Sequence, residues 1–195
     1  MKILGIAAPF GHDHSAALLI DGKIVAAAEE ERFTRKKHAV GQKPVSSIRF
    51  CLEKAGITPE DVDYIAYPWS FNALRRKRFE YFRRTLFSNP GRAYKKFFRN
   101  SKEFSNQNEF INTTLKDAGF DLSKTKIEWV EHHVAHASSS LYLSGFGDAA
   151  VMSIDGGGEI TATLLGYTEN NAMKIIKEII APDSLGLFYS TMTDY

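Results

Sequence analysis

Ser15-Ala16-Ala17-Leu18-Leu19-Ile20-Asp21-Gly22-Lys23-Ile24-Val25-Ala26-Ala27-Ala28 has the pattern of a β-hairpin near the start of the chain. Two short apolar runs flank Asp21-Gly22, and both turn residues tolerate positive φ, as a two-residue hairpin requires. Upstream, Lys2 to Ala8 (KILGIAA) is another apolar run of strand length, joined to the hairpin by the polar turn Pro9 to His14. The chain therefore opens with three neighbouring antiparallel strands. Pro44 to Ala55 then sets Val45, Ile48, Cys51, Leu52 and Ala55 on one face of an amphipathic helix, with Gly56 as its stop. Thr58-Pro59-Glu60-Asp61 has the cap and first-turn proline of a helix start. That turn is short, because Asp63 to Tyr67 (DYIAY) reads as a strand.

Phe71 to Phe120 breaks the rhythm and reads as two or three helices inserted between strands. Eleven of the 25 lysines and arginines lie between Leu74 and Lys102, against a single acid, Glu80, so the rest of the chain is net acidic. Tyr81, Phe82, Tyr94, Phe97 and Phe98 interleave with these cations, a pattern that nucleic-acid surfaces share. Phe79, Phe82 and Leu86 also fit the buried face of a helix, and a packed insertion with a solvated basic face is the preferred reading. Beyond it, Lys126 to Val130 reads as a strand, His132 to Ser144 as a helix, and Asp148 to Ile154 as a strand. Glu159 to Tyr167 and Ala172 to Ile180 follow as antiparallel successors. The order is that of an α/β layered domain with a mixed sheet. Asp183 to Tyr195 has helix-like aromatic content and then stops, as if cut within a domain. One cysteine, Cys51, excludes an intrachain disulfide and reads as a buried thiol. No signal peptide and no membrane-spanning run is evident, so a cytoplasmic location is expected, with neither a membrane nor a nucleic acid as partner.

The chemistry-bearing residues are clustered. His132 and His136 are four apart, which puts two imidazoles on one helix face, half of a metal site. Asp155, at the end of an apolar run, would complete the mixed nitrogen and oxygen set that suits Fe(II), Mn or Zn. His133 points elsewhere and reads as a packing residue. Gly156-Gly157-Gly158 reads either as a tight turn or as bare backbone that a ligand approaches, with N–H groups able to bind an anion. Glu159 is a supporting residue behind the ligands, a nucleotide contact or merely the start of a strand. Gly11-His12-Asp13-His14-Ser15 reads as an ordinary polar turn or as a phosphate loop in which His12 serves as a base and Asp13 orients an imidazole. Glu29 to His38 is a dense charge run, either solvated surface or a segment that returns over the same site with cations for phosphate.

In this order and spacing the segments resemble the carbamoyltransferase family of antibiotic and nodulation-factor biosynthesis. The matching residues are Leu4-Gly5-Ile6, Gly11 to Leu18 (GHDHSAAL) and Ala28 to His38 (AEEERFTRKKH), then His132 to Ala137 (HHVAHA), Ile154 to Glu159 (IDGGGE) and Ser184 to Tyr189 (SLGLFY). The resemblance implies an actin-like ATPase (ribonuclease H-like) lobe, with a mixed five-stranded sheet, flanking helices and a helical insertion at about 70–120. It implies a carbamoyltransferase that uses ATP and carbamoyl phosphate to make carbamoyl-adenylate and passes the carbamoyl group to the hydroxyl of a small-molecule acceptor. By the same resemblance His132, His136 and Asp155 hold a metal, iron or another divalent transition ion, and His12 is the base at the acceptor. Lys37 contacts the adenylate, with Gly156, Gly157, Gly158 and Glu159 beside its phosphate. Family members carry a further metal aspartate, a second actin-like half and an adenylating domain. Residues 1–195 therefore read as a first lobe only, a truncated piece inactive alone. Two alternatives stay open: a relative of the protein that makes threonylcarbamoyl-adenosine in tRNA, and a non-catalytic metal- or nucleotide-binding module.

Overall fold

The computed structural model describes residues 1–7, 13–98 and 100–193, with side chains omitted for 100–104. In chain order the first elements are β1 (Lys2–Ala7), β2 (Ser15–Ile20), β3 (Lys23–Glu29), α1 (Glu31–Thr34), α2 (Val45–Ala55), β4 (Tyr64–Tyr67), α3 (Phe71–Thr85) and α4 (Pro90–Phe98). There follow α5 (Asn100–Asp117), β5 (Ile127–Trp129), α6 (His132–Leu141), β6 (Ala150–Ile154), β7 (Thr161–Glu169), β8 (Ala172–Ile180) and α7 (Leu185–Thr193).

These elements form two compact units, residues 1–68 with 102–129, and residues 69–101 with 130–195. The first holds a mixed five-stranded sheet in the order β3-β2-β1-β4-β5. β1, β2 and β3 are antiparallel neighbours, while β4 and β5 join in parallel. The hairpin turns where the sequence demanded it, with Asp21 at φ 48° and Gly22 at φ 79°. Leu4, Ile6, Leu18, Ile48, Cys51 and Ile65 are buried in this unit. The N-terminus of α2 is closed by Glu30, a side chain 2% exposed. Its carboxylate accepts the N–H groups of Ser46 and Ser47 at 3.1 and 2.8 Å, and the Ser47 hydroxyl at 2.9 Å. The helix stops at Gly56, whose φ of 64° is left-handed. Burial raises the Cys51 thiol above its ordinary range, as expected of a packing thiol.

In the second unit β6, β7 and β8 make a separate antiparallel sheet. Ala137 and Leu141 of α6 pack with Val151 and Leu164. Leu74 and Tyr81 of α3 pack with Ile160 and Ile180. The five-stranded mixed sheet is the one expected, and β6 to β8 pair with each other and not with it. The segment at 70–120 supplies three helices, within the two or three expected; α3 and α4 fall in the second unit, and α5 from Lys102 onward in the first. There Ile111 and Leu115 are fully buried. No described helix is long and apolar enough to cross a membrane.

Candidate metal centre

α6 begins at His132, and its 3.6-residue period carries the rings of His132 and His136 to one face, their centroids 4.4 Å apart. Asp155 leaves the end of β6, its N–H held by the carbonyl of Ala162 at 3.1 Å. The Oδ2 of Asp155 lies 2.9 Å from the Nε2 of His132 and 3.5 Å from the Nε2 of His136. The two Nε2 atoms are 3.0 Å apart. For a first-row ion about 2.1 Å from each donor, neighbouring donors sit roughly 3.0–3.4 Å apart in octahedral or tetrahedral geometry. The three edges, 2.9, 3.0 and 3.5 Å, lie within about 0.1 Å of that range. The donor set therefore fits a divalent cation, and among the described residues these three side chains stand as a group able to hold one.

The electrostatics favour the metal-binding protonation states. Burial and then the neighbouring charge of His132 lower the pKa of His136, which keeps its imidazole neutral. For Asp155, burial opposes ionisation. Hydrogen bonds from His132 and from the Gly156 N–H, at 2.6 Å, together with the imidazole charges, outweigh it and hold the carboxyl below its ordinary range. A neutral imidazole and an ionised carboxylate are what metal binding requires. The side chain of His132 is 14% exposed, whereas those of Asp155 and His136 are 40% and 51% exposed, so the triangle opens on the Asp155 and His136 side. His133 turns away, with its Nδ1 3.0 Å from the Ser153 hydroxyl, and burial lowers its pKa. It is a packing residue, as its place on the helix suggested.

Backbone anchors hold the triangle. Glu159 is 3% exposed, and its carboxylate accepts the Ser70 N–H at 2.5 Å and the His132 N–H at 3.1 Å. Burial raises its pKa despite those bonds. The glycines differ in their reasons. A Cβ at Gly158 would stand 3.0 Å from the Cβ of His132 and 3.2 Å from the Cδ2 of His133, so the loop lies against α6 there. A Cβ at Gly157 would meet open space. Trp69 packs edge-on against the His132 ring at 5.6 Å.

Two features of this unit were not assigned a role from sequence. Ser184, just before α7, donates its hydroxyl to the carbonyls of Asp155 and Gly156 at 3.1 and 3.0 Å. Gly186 lies so close that a Cβ there would be 2.3 Å from the carbonyl carbon of Asp155. The Ser-Leu-Gly segment is thus the seat of the Asp155 loop. Its signal was the serine two residues before a glycine at a helix start, meaningful only once the Asp155 backbone is known to be its partner. The second feature is the contact of Lys77 with Glu131 and Glu178.

Of the remaining candidates, Lys37 lies in the first unit. His12 falls outside the described residues. Lys37 opens a single 3-10 turn, Lys37–Ala39, and its side chain is exposed. The charge run folds back on itself and on Asp13. Glu31 accepts the N–H of His38 at 2.7 Å, and His38 Nδ1 lies 2.7 Å from Asp13 Oδ1. Asp13 thus orients an imidazole, that of His38.

The sequence profile of the family described as Carbamoyltransferase N-terminus matches residues 2–195. An uncharacterized protein of Synechocystis is 39% identical over 199 residues, covering 99% of this chain and 31% of its own length. The nodulation protein NolNO of Sinorhizobium fredii is 33% identical over 186 residues, covering 95% of this chain and 25% of that protein. The chain thus spans less than a third of the length of these curated relatives. The solved structure of YeaZ from Pseudomonas aeruginosa is similar at a TM-score of 0.45 and 15% identity, covering 93% of this chain and 69% of that one.

Proposed function

This chain belongs to the family of carbamoyltransferase N-terminal domains, and from that premise we propose that it is the metal-holding part of an enzyme that transfers a carbamoyl group to a substrate hydroxyl. The observation that carries the reading is the convergence of two imidazole nitrogens and one carboxylate oxygen in a chain of this family. His132, His136 and Asp155 would hold a divalent transition ion, with Fe(II) the proposed occupant on the chemistry of that donor set. When bound, such an ion supplies positive charge that neutralises phosphate oxygens and fixes an activated donor.

The protein's own residues have separate tasks in this proposal. Asp155 stays ionised and His136 neutral, so the donors keep their lone pairs. Glu159 and Gly158 hold His132 in place through its backbone and its Cβ. Lys37 provides a cation for the phosphate of carbamoyl-adenylate, and Gly156, Gly157 and Gly158 provide bare backbone whose N–H groups can meet an anion. The carbamoyl carbon is a poor electrophile, and an adenylate leaving group, made from ATP and carbamoyl phosphate, improves it. His12 takes the proton of the acceptor hydroxyl as its oxygen bonds to the carbamoyl carbon. The bond from that carbon to the phosphate oxygen breaks and AMP departs.

The test uses a full-length protein that contains this chain, supplied with ATP, carbamoyl phosphate and a panel of hydroxyl acceptors. A carbamoylated product is expected, absent in His12→Ala although metal content is unchanged. No carbamoyl product from metal-loaded protein over the whole panel, or equal rates in His12→Ala, would overturn the assignment.

A further inference from the structure

We propose that α3, the most basic helix of the chain, is a positioning element for the metal centre, acting through Lys77 and Glu131 on the first turn of α6. The proposal rests on the reading of His132, His136 and Asp155 as metal ligands. It gives the basic segment a task other than capture of an acidic partner.

Glu131 immediately precedes His132, and its carbonyl accepts the N–H of Ala135 at 2.9 Å, the first intrahelical bond of α6. No side chain caps that helix from within its own sequence. The Glu131 carboxylate is instead gripped from α3: Arg76 reaches one oxygen at 2.7 Å and Lys77 the other at 3.2 Å. Lys77 is the deeper of the two, its side chain 10% exposed against 62% for Arg76. Its ammonium also donates to the Thr161 hydroxyl of β7 at 3.0 Å and contacts Glu178 of β8. Thr161 in turn donates to Glu178 at 3.0 Å. The three donors of the ammonium are thus distributed over Glu131, Thr161 and Glu178, the full capacity of a lysine head group.

A second link runs between the same two helices. Ser70 is the N-cap residue of α3, and its N–H shares the Glu159 carboxylate with the N–H of His132. Ser70 and Lys77 are seven residues apart, roughly 10 Å along a helix axis. Residues 131 and 132 are therefore tied to α3 at two well-separated points, and Lys77 ties the same spot to the sheet. A single tie leaves rotation of the α6 start about the contact; two ties and the sheet remove it. The ring of His132 needs such support, because its Nδ1 is buried with no hydrogen-bond partner among the described residues. The usual device, a carboxylate or carbonyl behind the ligand ring, is replaced here by fixing the backbone beneath it. Without Lys77, Glu131 and Glu178 would lose the cation they share and the first turn of α6 would lose its inner tie.

The experiment titrates the metal-free chain with Co(II) under anaerobic conditions, recording ligand-field absorption, affinity and the thermal midpoint with and without cobalt. Wild-type protein is expected to bind one Co(II). Lys77→Met and the isosteric Glu131→Gln are expected to bind it about 10–100-fold more weakly, the usual penalty for losing a residue that supports a ligand, with an altered absorption band. Arg84→Ala removes a cation of the same helix that pairs with Asp183 at 3.5 Å, and it is expected to retain wild-type affinity. A purely structural role would lower the midpoints with and without cobalt equally, whereas positioning shrinks the rise that cobalt produces. Wild-type affinity, band and cobalt-induced rise in both Lys77→Met and Glu131→Gln would overturn the proposal while leaving the ligand assignment intact. Failure of wild-type protein to bind Co(II) would overturn the ligand assignment and, with it, the role of α3.

Discussion

Gly186→Ala tests the seat of Asp155 with one methyl group. The new Cβ would lie 2.3 Å from the carbonyl carbon of Asp155, 2.4 Å from its oxygen and 2.5 Å from the nitrogen of Gly156. All three are backbone atoms, so no side-chain rotation relieves the overlap. Comfortable contact between heavy atoms is about 3.5 Å, so α7 and the Asp155 loop must separate by roughly 1 Å. Overpacking of this kind costs about 1–3 kcal/mol. The Ser184 bonds to the Asp155 and Gly156 carbonyls, at 3.1 and 3.0 Å, run through the same contact and would lengthen. If the loop moves, the carboxylate leaves the 2.9 and 3.5 Å spacing that completes the donor triangle. The expected result is a metal affinity at least about tenfold lower, equivalent to about 1.4 kcal/mol, together with a lower thermal midpoint in the metal-free protein. Competitive titration against a chelator and a melting scan read the two effects separately. Unchanged stability with unchanged affinity would refute the packing argument. A lower midpoint with full affinity would show that α7 lifts away without moving Asp155, and would refute its role as the seat.

Other expectations follow from single contacts. Glu30→Ala strands the N–H groups of Ser46 and Ser47 at the start of α2 and should lower the unfolding free energy by about 2–4 kcal/mol; a loss in urea denaturation below about 0.5 kcal/mol, the range of ordinary surface changes, would contradict the buried cap. Burial raises Tyr67 from 10.0 to about 12. The unfolded chain then releases its phenolic proton first, and stability falls as pH rises from about 10 toward 12, by about 2–3 kcal/mol. Tyr67→Phe should lack this component, so the stability difference between the two proteins should move in favour of phenylalanine over that interval; a constant difference would refute it.

Local chemistry made much of the molecule legible in the sequence. Asp21-Gly22 could turn only with both φ angles positive, and it does. The His132 and His136 spacing becomes two nitrogens 3.0 Å apart because a helix repeats on that period. The alternation in β6, β7 and β8 marks strands, but which sheet a strand joins depends on partners far away in sequence, so their grouping into a separate sheet is not legible locally. Composition alone does not show that the buried faces of α3 and α5 belong to different cores. Lys77 was invisible for another reason. It sits within Arg75-Arg76-Lys77-Arg78, a run that reads as solvated, yet its side chain is the one drawn inward between Glu131 and Glu178. Glu159 stands out in the sequence beside the three glycines, but its partners are backbone N–H groups of Ser70 and His132, which no local pattern reveals.

The proposed function stands on His132, His136 and Asp155 together holding one metal ion. Metal content is read by mass spectrometry after anaerobic loading with Fe(II) and removal of loosely held ions, with His136→Ala and Asp155→Ala measured beside the wild type. One ion per wild-type chain, and near-complete loss in both variants with folding retained by circular dichroism, is the predicted result. A wild-type chain that retains no ion, or variants that retain as much as the wild type, would contradict it.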